Sequence, residues 1–183
     1  DGPDARFTEM TLDVLRRFDV RATFFLVGAR VRERPDLVQA ILADGHAIGS
    51  HSDTHPDMLT LRTRAVLREY RAGRDTLSAL VGRPILLCRP PKGRIDLTGG
   101  CVLRALGMQP WLWTRTGHDW LPDITADEIL AEIGAPTSGD VILLHDGLEQ
   151  PTAASARNRT ATIQALERLI PDVRARGLRF VSL

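Results

Sequence analysis

Short apolar segments alternate with amphipathic helical patterns along the 183 residues of this chain, and this alternation limits the possible folds more than any other feature. The first such segment, residues 22–28 (ATFFLVG), has the aromatic content and length of a strand buried on both faces. By contrast, residues 4–18 carry an apolar residue every three or four positions, the spacing of an amphipathic helix. The alternation therefore predicts an α/β protein with a parallel sheet and right-handed crossovers.

The alternation of apolar segments and helical patterns, followed along the whole chain, predicts six strands, each next to a helix. The predicted strands are residues 22–28, 46–50, 85–89, 111–114, 141–145 and 178–183. The predicted helices are residues 4–18, 35–44, 61–81, 97–106, 126–133 and 160–174. No internal repeat or long linker interrupts the pattern, so one domain over residues 1–183 is expected. Because an eight-stranded barrel usually takes about 250 residues, the length favours an incomplete barrel or an open doubly wound sheet.

Charge and composition narrow the classes of partner. With 24 basic and 23 acidic residues, the net charge of +1 argues against a protein that coats nucleic acid or an anionic membrane. No uncharged apolar run approaches the ~20 residues that a membrane-spanning helix needs. Two cysteines, Cys88 and Cys101, are too few for a disulfide scaffold. A chain of this size needs no structural metal, so a metal site here would be functional.

Two histidines stand out because they are four residues apart directly after a predicted strand. If the segment from His51 to His55 is helical, both imidazoles point the same way and can bind one metal ion. On this pair alone, two surface or capping histidines remain the alternative. Ser52 occupies the position where a zinc protease of the HExxH type needs glutamate, so that class is disfavoured.

Three further places could carry chemistry. Residues 89–93 (RPPKG) form a rigid turn after a strand, because proline fixes φ and glycine permits close approach of the backbone. His145 is the last residue of the predicted buried strand 141–145, where either a catalytic or a core role is possible. The three tryptophans, Trp111, Trp113 and Trp120, lie close together in the sequence and could line either the core or a cleft.

Five of these segments occur in the order of the five motifs of one family. Asp1-Gly2-Pro3, GHAIGSHSDTH, RPPKG, Asp119-Trp120 and LLHDG resemble the motifs of the polysaccharide deacetylases, the NodB homology domain of carbohydrate esterase family 4. The resemblance covers residues 1–147 and implies a distorted (β/α)7 barrel. Since six strands are predicted, the family's first strand would precede Asp1, and we expect this chain to be truncated there.

The resemblance also implies a metal site. Asp1, His51 and His55 would bind a divalent cation, with zinc expected first and Co²⁺, Ni²⁺ or Fe²⁺ as alternatives. One carboxylate and two imidazoles suit zinc, and three protein ligands leave positions open for water and substrate.

Roles in proton transfer and substrate binding follow from the same resemblance. His145 would protonate the leaving amine, and Arg89 would pair with the base, an aspartate that the motif places before Asp1. The backbone N–H of Lys92, in the turn after the strand, would stabilise the oxyanion. Two other residues would line the groove and the pocket for the acetyl methyl. The substrate-binding residues would therefore be Pro91, Lys92, Gly93, Trp120 and Leu143.

The chain departs from the family pattern at two places besides the missing base. Thr116 stands where an acid usually orients the histidine of the fifth motif, which leaves Asp119 as the remaining acid for His145. Lys92 replaces a frequent aromatic or small residue and would put a cation beside the groove.

The expected function is metal-dependent removal of acetyl groups from an N-acetylated or O-acetylated polysaccharide such as chitooligosaccharide, peptidoglycan or xylan, by water attack on the carbonyl. Two alternatives stay open: a catalytically silent carbohydrate-binding domain that lacks the base, and a hydrolase of non-carbohydrate C–N bonds on the same fold. The expected partner is a glycan, with no nucleic acid and no membrane span, and the protein is expected to be a monomer. Only the resemblance suggests a cell-envelope or secreted location.

Overall fold

The computed structural model describes residues 1–149, 151 and 153–183. Within these residues there are seven α-helices: α1 (Phe7–Arg17), α2 (Gly28–Glu33), α3 (Pro35–Ala43), α4 (Thr63–Val81), α5 (Leu97–Ala105), α6 (Ala126–Ile133) and α7 (Thr160–Ala175). Six short strands are assigned: β1 (Thr23–Leu26), β2 (Ala47–Ser50), β3 (Leu87–Cys88), β4 (Gln109–Pro110), β5 (Arg115–Thr116) and β6 (Ile142–Leu143). No helix of the described residues is long and apolar enough to span a bilayer.

All the strand pairs are parallel. One sheet has the order β1-β2-β3-β4, and the second pairs β5 with β6. Burial of β1 on both faces explains its continuous apolar sequence, since Phe24, Phe25 and Leu26 are all buried. The prediction of an α/β protein with a parallel sheet is confirmed.

The described chain divides into two compact units. The first comprises Asp1–Pro3 and Thr23–Leu112 and holds the four-stranded sheet with α2, α3, α4 and α5. One of its apolar clusters surrounds Tyr70 and Cys88, both of which are fully buried. The second unit comprises Asp4–Ala22 and Trp113–Leu183, and its cluster joins α6 to α7.

Local sequence signals set the ends of several helices. Thr125 accepts a hydrogen bond from the backbone N–H of Glu128, whose carboxylate accepts from the Thr125 N–H, so a capping box begins α6. At the other end of α4, Gly82 adopts a left-handed conformation with φ of 73° and ends the helix. The predicted helices at 126–133 and 61–81 therefore agree with the structure to within two residues.

Two predicted strands differ from the structure. Residues 111–114 form the link between the two sheets: Trp111 N–H donates to the Cys88 carbonyl, and Thr114 N–H donates to the Val141 carbonyl. The strands themselves lie on either side of this link, as β4 and β5. The strand expected at 178–183 is absent, and this prediction is wrong.

The apolar residues that suggested the last strand have another use. Leu178 and Phe180 pack against the cluster between α6 and α7, whereas Val181 is 75% exposed. The alternation of apolar residues in 178–183 therefore comes from an irregular segment that packs on one side only. Helix α2 was not predicted, because six residues are too few to show a helical period.

Candidate functional site

Three potential metal ligands converge in the first unit. The Nε2 atoms of His51 and His55 lie 3.2 Å and 3.4 Å from Oδ1 of Asp1. All three residues are buried, and one donor atom from each lies within 4.8 Å of the others. The structure thus brings together the three residues that the sequence predicted as metal ligands.

These separations can be compared with the geometry of a shared cation. Bonds of about 2.0–2.1 Å at tetrahedral angles place two ligand atoms about 3.3 Å apart. Both carboxylate-to-imidazole distances lie close to that value. The donor set and its spacing therefore fit a divalent metal ion.

The segment between the two histidines is a loop, so the helical turn considered as one way to bring the imidazoles together is not used. His51 follows β2, and its N–H donates to the Leu26 carbonyl of β1. Ser52 and His55 then adopt left-handed backbone conformations, with φ of 67° and 57°. The Ser52 hydroxyl accepts the His55 N–H at 3.0 Å, so a tight loop brings the two imidazole rings to 4.7 Å between centroids.

A backbone carbonyl orients the first histidine. Nδ1 of His51 lies 2.6 Å from the carbonyl oxygen of Arg89. A carbonyl only accepts, so Nδ1 carries the proton and the Nε2 lone pair is left for a metal. Strand β3, which ends at Cys88, positions this carbonyl.

The Arg89 side chain is fixed by two backbone carbonyls and one aromatic ring of the first unit. Its Nε and Nη2 donate to the carbonyls of Trp111 and Leu112 at 3.2 Å, and its guanidinium stacks over the Phe25 ring at 4.3 Å. Burial lowers the pKa of Arg89 to about 10, so it remains charged at neutral pH. Its predicted pairing with the base aspartate stays a prediction.

The turn predicted to bind substrate is a single 3-10 turn, Pro91–Gly93. Lys92 has a left-handed backbone with φ of 58°, and its side chain is 47% exposed. Its Nζ lies 4.0 Å from Oδ2 of Asp57, a long ion pair on an exposed lysine that contributes little to stability. The oxyanion role of the Lys92 N–H stays a prediction.

Helix α4 packs so closely against the loop from His51 to His55 (the histidine loop) that position 73 requires glycine. A Cβ atom on Gly73 would lie 2.4 Å from the Ser52 carbonyl oxygen, whereas one on Gly100 of α5 would meet nothing within 4 Å. Gly73→Ala should therefore lower the free energy of unfolding by about 1–3 kcal/mol. Gly100→Ala, the matched helical control, should be neutral or stabilising by about 0.5–1 kcal/mol. Urea denaturation would measure both, and a Gly73→Ala variant as stable as the wild type would contradict this packing.

The second unit holds a histidine–aspartate pair. Nδ1 of His145 lies 2.7 Å from Oδ1 of Asp119, and the His145 N–H donates to Oδ2 at 2.8 Å. Asp119 is fully buried. The structure therefore pairs His145 with Asp119, the acid that remains in this motif, through two hydrogen bonds.

Helix α7 and the residue directly before it supply two partners of Asp119 that the sequence analysis missed. The Thr162 hydroxyl donates to Oδ2 at 3.0 Å, and the buried Arg159 guanidinium donates to the Asp119 backbone carbonyl. The only signal in the sequence was two polar residues three apart at the start of an amphipathic helix. That signal is weak, because such residues usually face solvent.

The environment of Asp119 favours its ionised form. Burial opposes ionisation, but the charge of His145, the two hydrogen bonds from His145 and the charge of Arg159 together outweigh it. The pKa of Asp119 therefore lies below its ordinary value, and the carboxylate is an acceptor at neutral pH.

The residues predicted to wall the substrate groove lie near this pair or in the adjoining strand. The Trp120 ring meets the His145 ring edge-on at 5.5 Å between centroids, and it meets the His118 ring edge-on at 5.0 Å. Leu143 is buried at the end of β6. Trp111 and Trp113 are half-buried.

Comparison with known proteins identifies the relatives of this chain. The family model described as polysaccharide deacetylase matches residues 1–111. A peptidoglycan-N-acetylglucosamine deacetylase of Bacillus cereus is 31% identical over all of this chain and 83% of its own length. A chitooligosaccharide deacetylase of Sinorhizobium fredii is 34% identical over all of this chain and 86% of its own length.

Solved structures agree with the sequence matches. A family 4 acetyl xylan esterase from Clostridium thermocellum, in complex with a cobalt ion, is 28% identical and has a TM-score of 0.86 over all of this chain and 84% of its own. This likeness and the family match confirm the predicted family and its (β/α)7-type fold. Removal of acetyl groups is the activity that the names of both sequence relatives state. The chain belongs to the polysaccharide deacetylase family.

Proposed function

We propose that this protein is a zinc-dependent hydrolase that removes acetyl groups from N-acetylated glycans. The observation that carries the proposal is the convergence of Asp1, His51 and His55, with both imidazole Nε2 atoms at ligand-to-ligand distance from one carboxylate oxygen. The named deacetylases of peptidoglycan and chitooligosaccharide support an N-acetylated glycan as the substrate. A monomeric state and a single domain over residues 1–183 belong to the same proposal.

Asp1, His51 and His55 would bind the metal ion. Zinc is the proposed ion because the observed separations match a tetrahedral site with bonds of about 2.0–2.1 Å, and imidazole with carboxylate suits zinc. When bound there, a divalent cation polarises the acetyl carbonyl and lowers the pKa of a water molecule.

The remaining roles belong to the chain's own side chains. The Arg89 carbonyl keeps the proton of His51 on Nδ1, away from the metal-facing nitrogen. Asp119 accepts a hydrogen bond from the Nδ1–H of His145, so the Nε2 atom of His145 is the one that exchanges a proton. We assign to that Nε2 the protonation of the leaving amine, which allows the C–N bond to break.

Two further assignments follow the family resemblance. The base that takes the proton of the attacking water is the aspartate that the first motif places before Asp1. The Lys92 N–H stabilises the oxyanion of the tetrahedral intermediate, while Trp120 and Leu143 line the space for the acetyl group.

The proposal predicts acetate release that depends on zinc. A protein that carries an additional aspartate directly before Asp1 should release acetate from chitooligosaccharide or peptidoglycan, lose this activity with a chelator and regain it with zinc. The same protein without that aspartate is the matched control and should be slower by about 10²–10⁴-fold, because the proposed base is removed. Acetate measured enzymatically gives the rates for both.

Absence of acetate from chitooligosaccharide, peptidoglycan and acetylxylan alike would overturn the proposal. Glycan binding without turnover would then favour the silent carbohydrate-binding alternative. Release of acetate from acetylxylan alone would replace the N-acetyl substrate with an O-acetyl one, which is the substrate class in the name of the Clostridium thermocellum esterase.

A further inference from the structure

Glu69, in the middle of α4, contacts the histidine loop from outside the metal centre. Its Oε2 accepts the backbone N–H of Asp53 at 3.2 Å and that of Thr54 at 2.9 Å. Its Oε1 accepts the Thr54 hydroxyl at 3.0 Å. One carboxylate thus binds both residues at the centre of the loop that separates His51 from His55.

The loop needs such external support because of its backbone. Ser52 and His55, which flank the contacted residues, both have left-handed conformations that residues other than glycine adopt at a cost. A loop of this kind provides no regular ladder of backbone hydrogen bonds for its own N–H groups. The Asp53 and Thr54 N–H groups find their acceptor in the Glu69 carboxylate.

The opposite side of the loop is held by α2. The N–H groups of Gly28 and Ala29 donate to the carbonyls of Ser52 and Asp53, at 3.0 Å and 2.8 Å. The Asp53 side chain is bound by Arg32 of the same helix, with its two oxygens 2.6 Å and 3.3 Å from the guanidinium. Helix α2 therefore fixes the carbonyl side of the loop, and Glu69 fixes the N–H side.

This arrangement couples Glu69 to the two imidazoles through three residues of backbone. A rotation of the peptide between Asp53 and Thr54 would change the direction of His55 relative to His51. The position of the His55 Nε2, 3.4 Å from the Asp1 carboxylate, thus depends on where that peptide is held. Glu69 itself is no ligand, since its carboxylate is engaged with Asp53 and Thr54.

We propose that Glu69 is a positioning residue of the metal centre: by binding the Asp53 and Thr54 N–H groups, it holds His55 in the geometry that lets the two histidines and Asp1 bind one cation. This inference rests on the proposed function, because it assumes that the three residues bind a metal. It assigns a role to a residue that none of the five sequence motifs contains.

The test measures zinc affinity by competition with a chromophoric chelator, using the full chain. Glu69→Ala should weaken zinc binding by about 10- to 100-fold, the usual effect of removing a partner that orients a metal ligand. Glu69→Gln should stay within about threefold of the wild type, because its amide oxygen can still accept the two N–H groups and its NH₂ can donate to the Thr54 hydroxyl. Asp75 lies on the same helix, and its carboxylate pairs with Arg74 among the residues that the structure describes. Asp75→Asn is therefore the matched control and should not change the affinity.

Thermal unfolding without metal separates positioning from general stability. If Glu69→Ala does not fold, Glu69→Asp replaces it, because a carboxylate withdrawn by one methylene no longer reaches the two N–H groups and should weaken zinc binding as alanine does. A folded Glu69→Ala or Glu69→Asp protein with wild-type zinc affinity would overturn the inference and leave the proposed function standing. A wild-type protein that binds no zinc would overturn both.

Discussion

Replacing His55 by alanine should abolish zinc retention. The variant removes one of three protein ligands whose donor atoms lie within 4.8 Å of one another. Sites with four protein ligands gain about 10–16 kcal/mol from zinc, so one ligand accounts for about 3–4 kcal/mol, or ~10²–10³-fold in affinity. Such a loss should leave no zinc on the protein after dialysis, and deacetylation should disappear with it. Elemental analysis and chelator competition would measure the stoichiometry and the affinity.

Two matched proteins make the result interpretable. His118→Ala removes a histidine of the second unit whose side chain is 42% exposed and pairs with Glu132, so zinc should be retained in full. His55→Asn is the second variant at the ligand position, since asparagine tolerates the left-handed backbone that His55 adopts. Unchanged zinc stoichiometry in folded His55→Ala and His55→Asn proteins would show that the three residues are not the metal site.

The spacing of apolar residues predicted helices and strands well where a segment has a regular burial pattern over several residues. Helix α4 has its buried residues, Val66, Tyr70, Gly73 and Leu77, along one stripe. Strand β1 ends in three consecutive buried apolar residues because both its faces are covered. The same method failed at residues 178–183, since an irregular segment that packs two side chains on one side shows the alternation of a strand. It also missed the change of sheet after β4, which depends on the partner of each backbone group rather than on the residue type.

The residues of the candidate site that belong to short sequence motifs could be predicted. Asp1, His51 and His55 came from motif order, and the structure brings them together. The two imidazoles converge without the helical turn that was considered for residues 51–55, because spacing does not reveal that Ser52 has a left-handed backbone.

The supporting residues could not be predicted in the same way. Glu69 lies 15 residues from Thr54, and Thr162 lies 43 residues from Asp119, so each contact is created by tertiary packing. A carboxylate on a helix and a threonine at a helix start are ordinary in sequence. Their roles become visible only when the partner of each buried polar group is known.

Asp119→Asn should reduce deacetylation by about 10²–10⁴-fold while leaving zinc affinity unchanged. Asp119 accepts three hydrogen bonds, from the His145 imidazole, the His145 N–H and the Thr162 hydroxyl. An asparagine amide accepts at one atom only and donates at the other, so His145 would lose its orientation or its Nδ1–H tautomer. The rate of acetate release and the zinc dissociation constant separate this effect from loss of metal.

The control for charge is Asp127→Asn in the same unit. Asp127 has an 80% exposed side chain that pairs with the exposed Arg168, so its removal should not affect the rate. Equal rates for Asp119→Asn and the wild type would exclude His145 as the proton donor that Asp119 orients.

Stability against pH gives a second measurement on the same variant. Because the pKa of Asp119 in the folded protein lies below its ordinary value of about 3.9, the ionised carboxylate stabilises the fold above that pH. This contribution is lost as the pH falls through the folded pKa. The wild type should therefore exceed Asp119→Asn in unfolding free energy by about 3 kcal/mol near pH 5, and the difference should shrink towards pH 3. Urea denaturation at both pH values would measure it, and a difference that stays constant would show that the Asp119 charge does not stabilise the fold through His145 and Arg159.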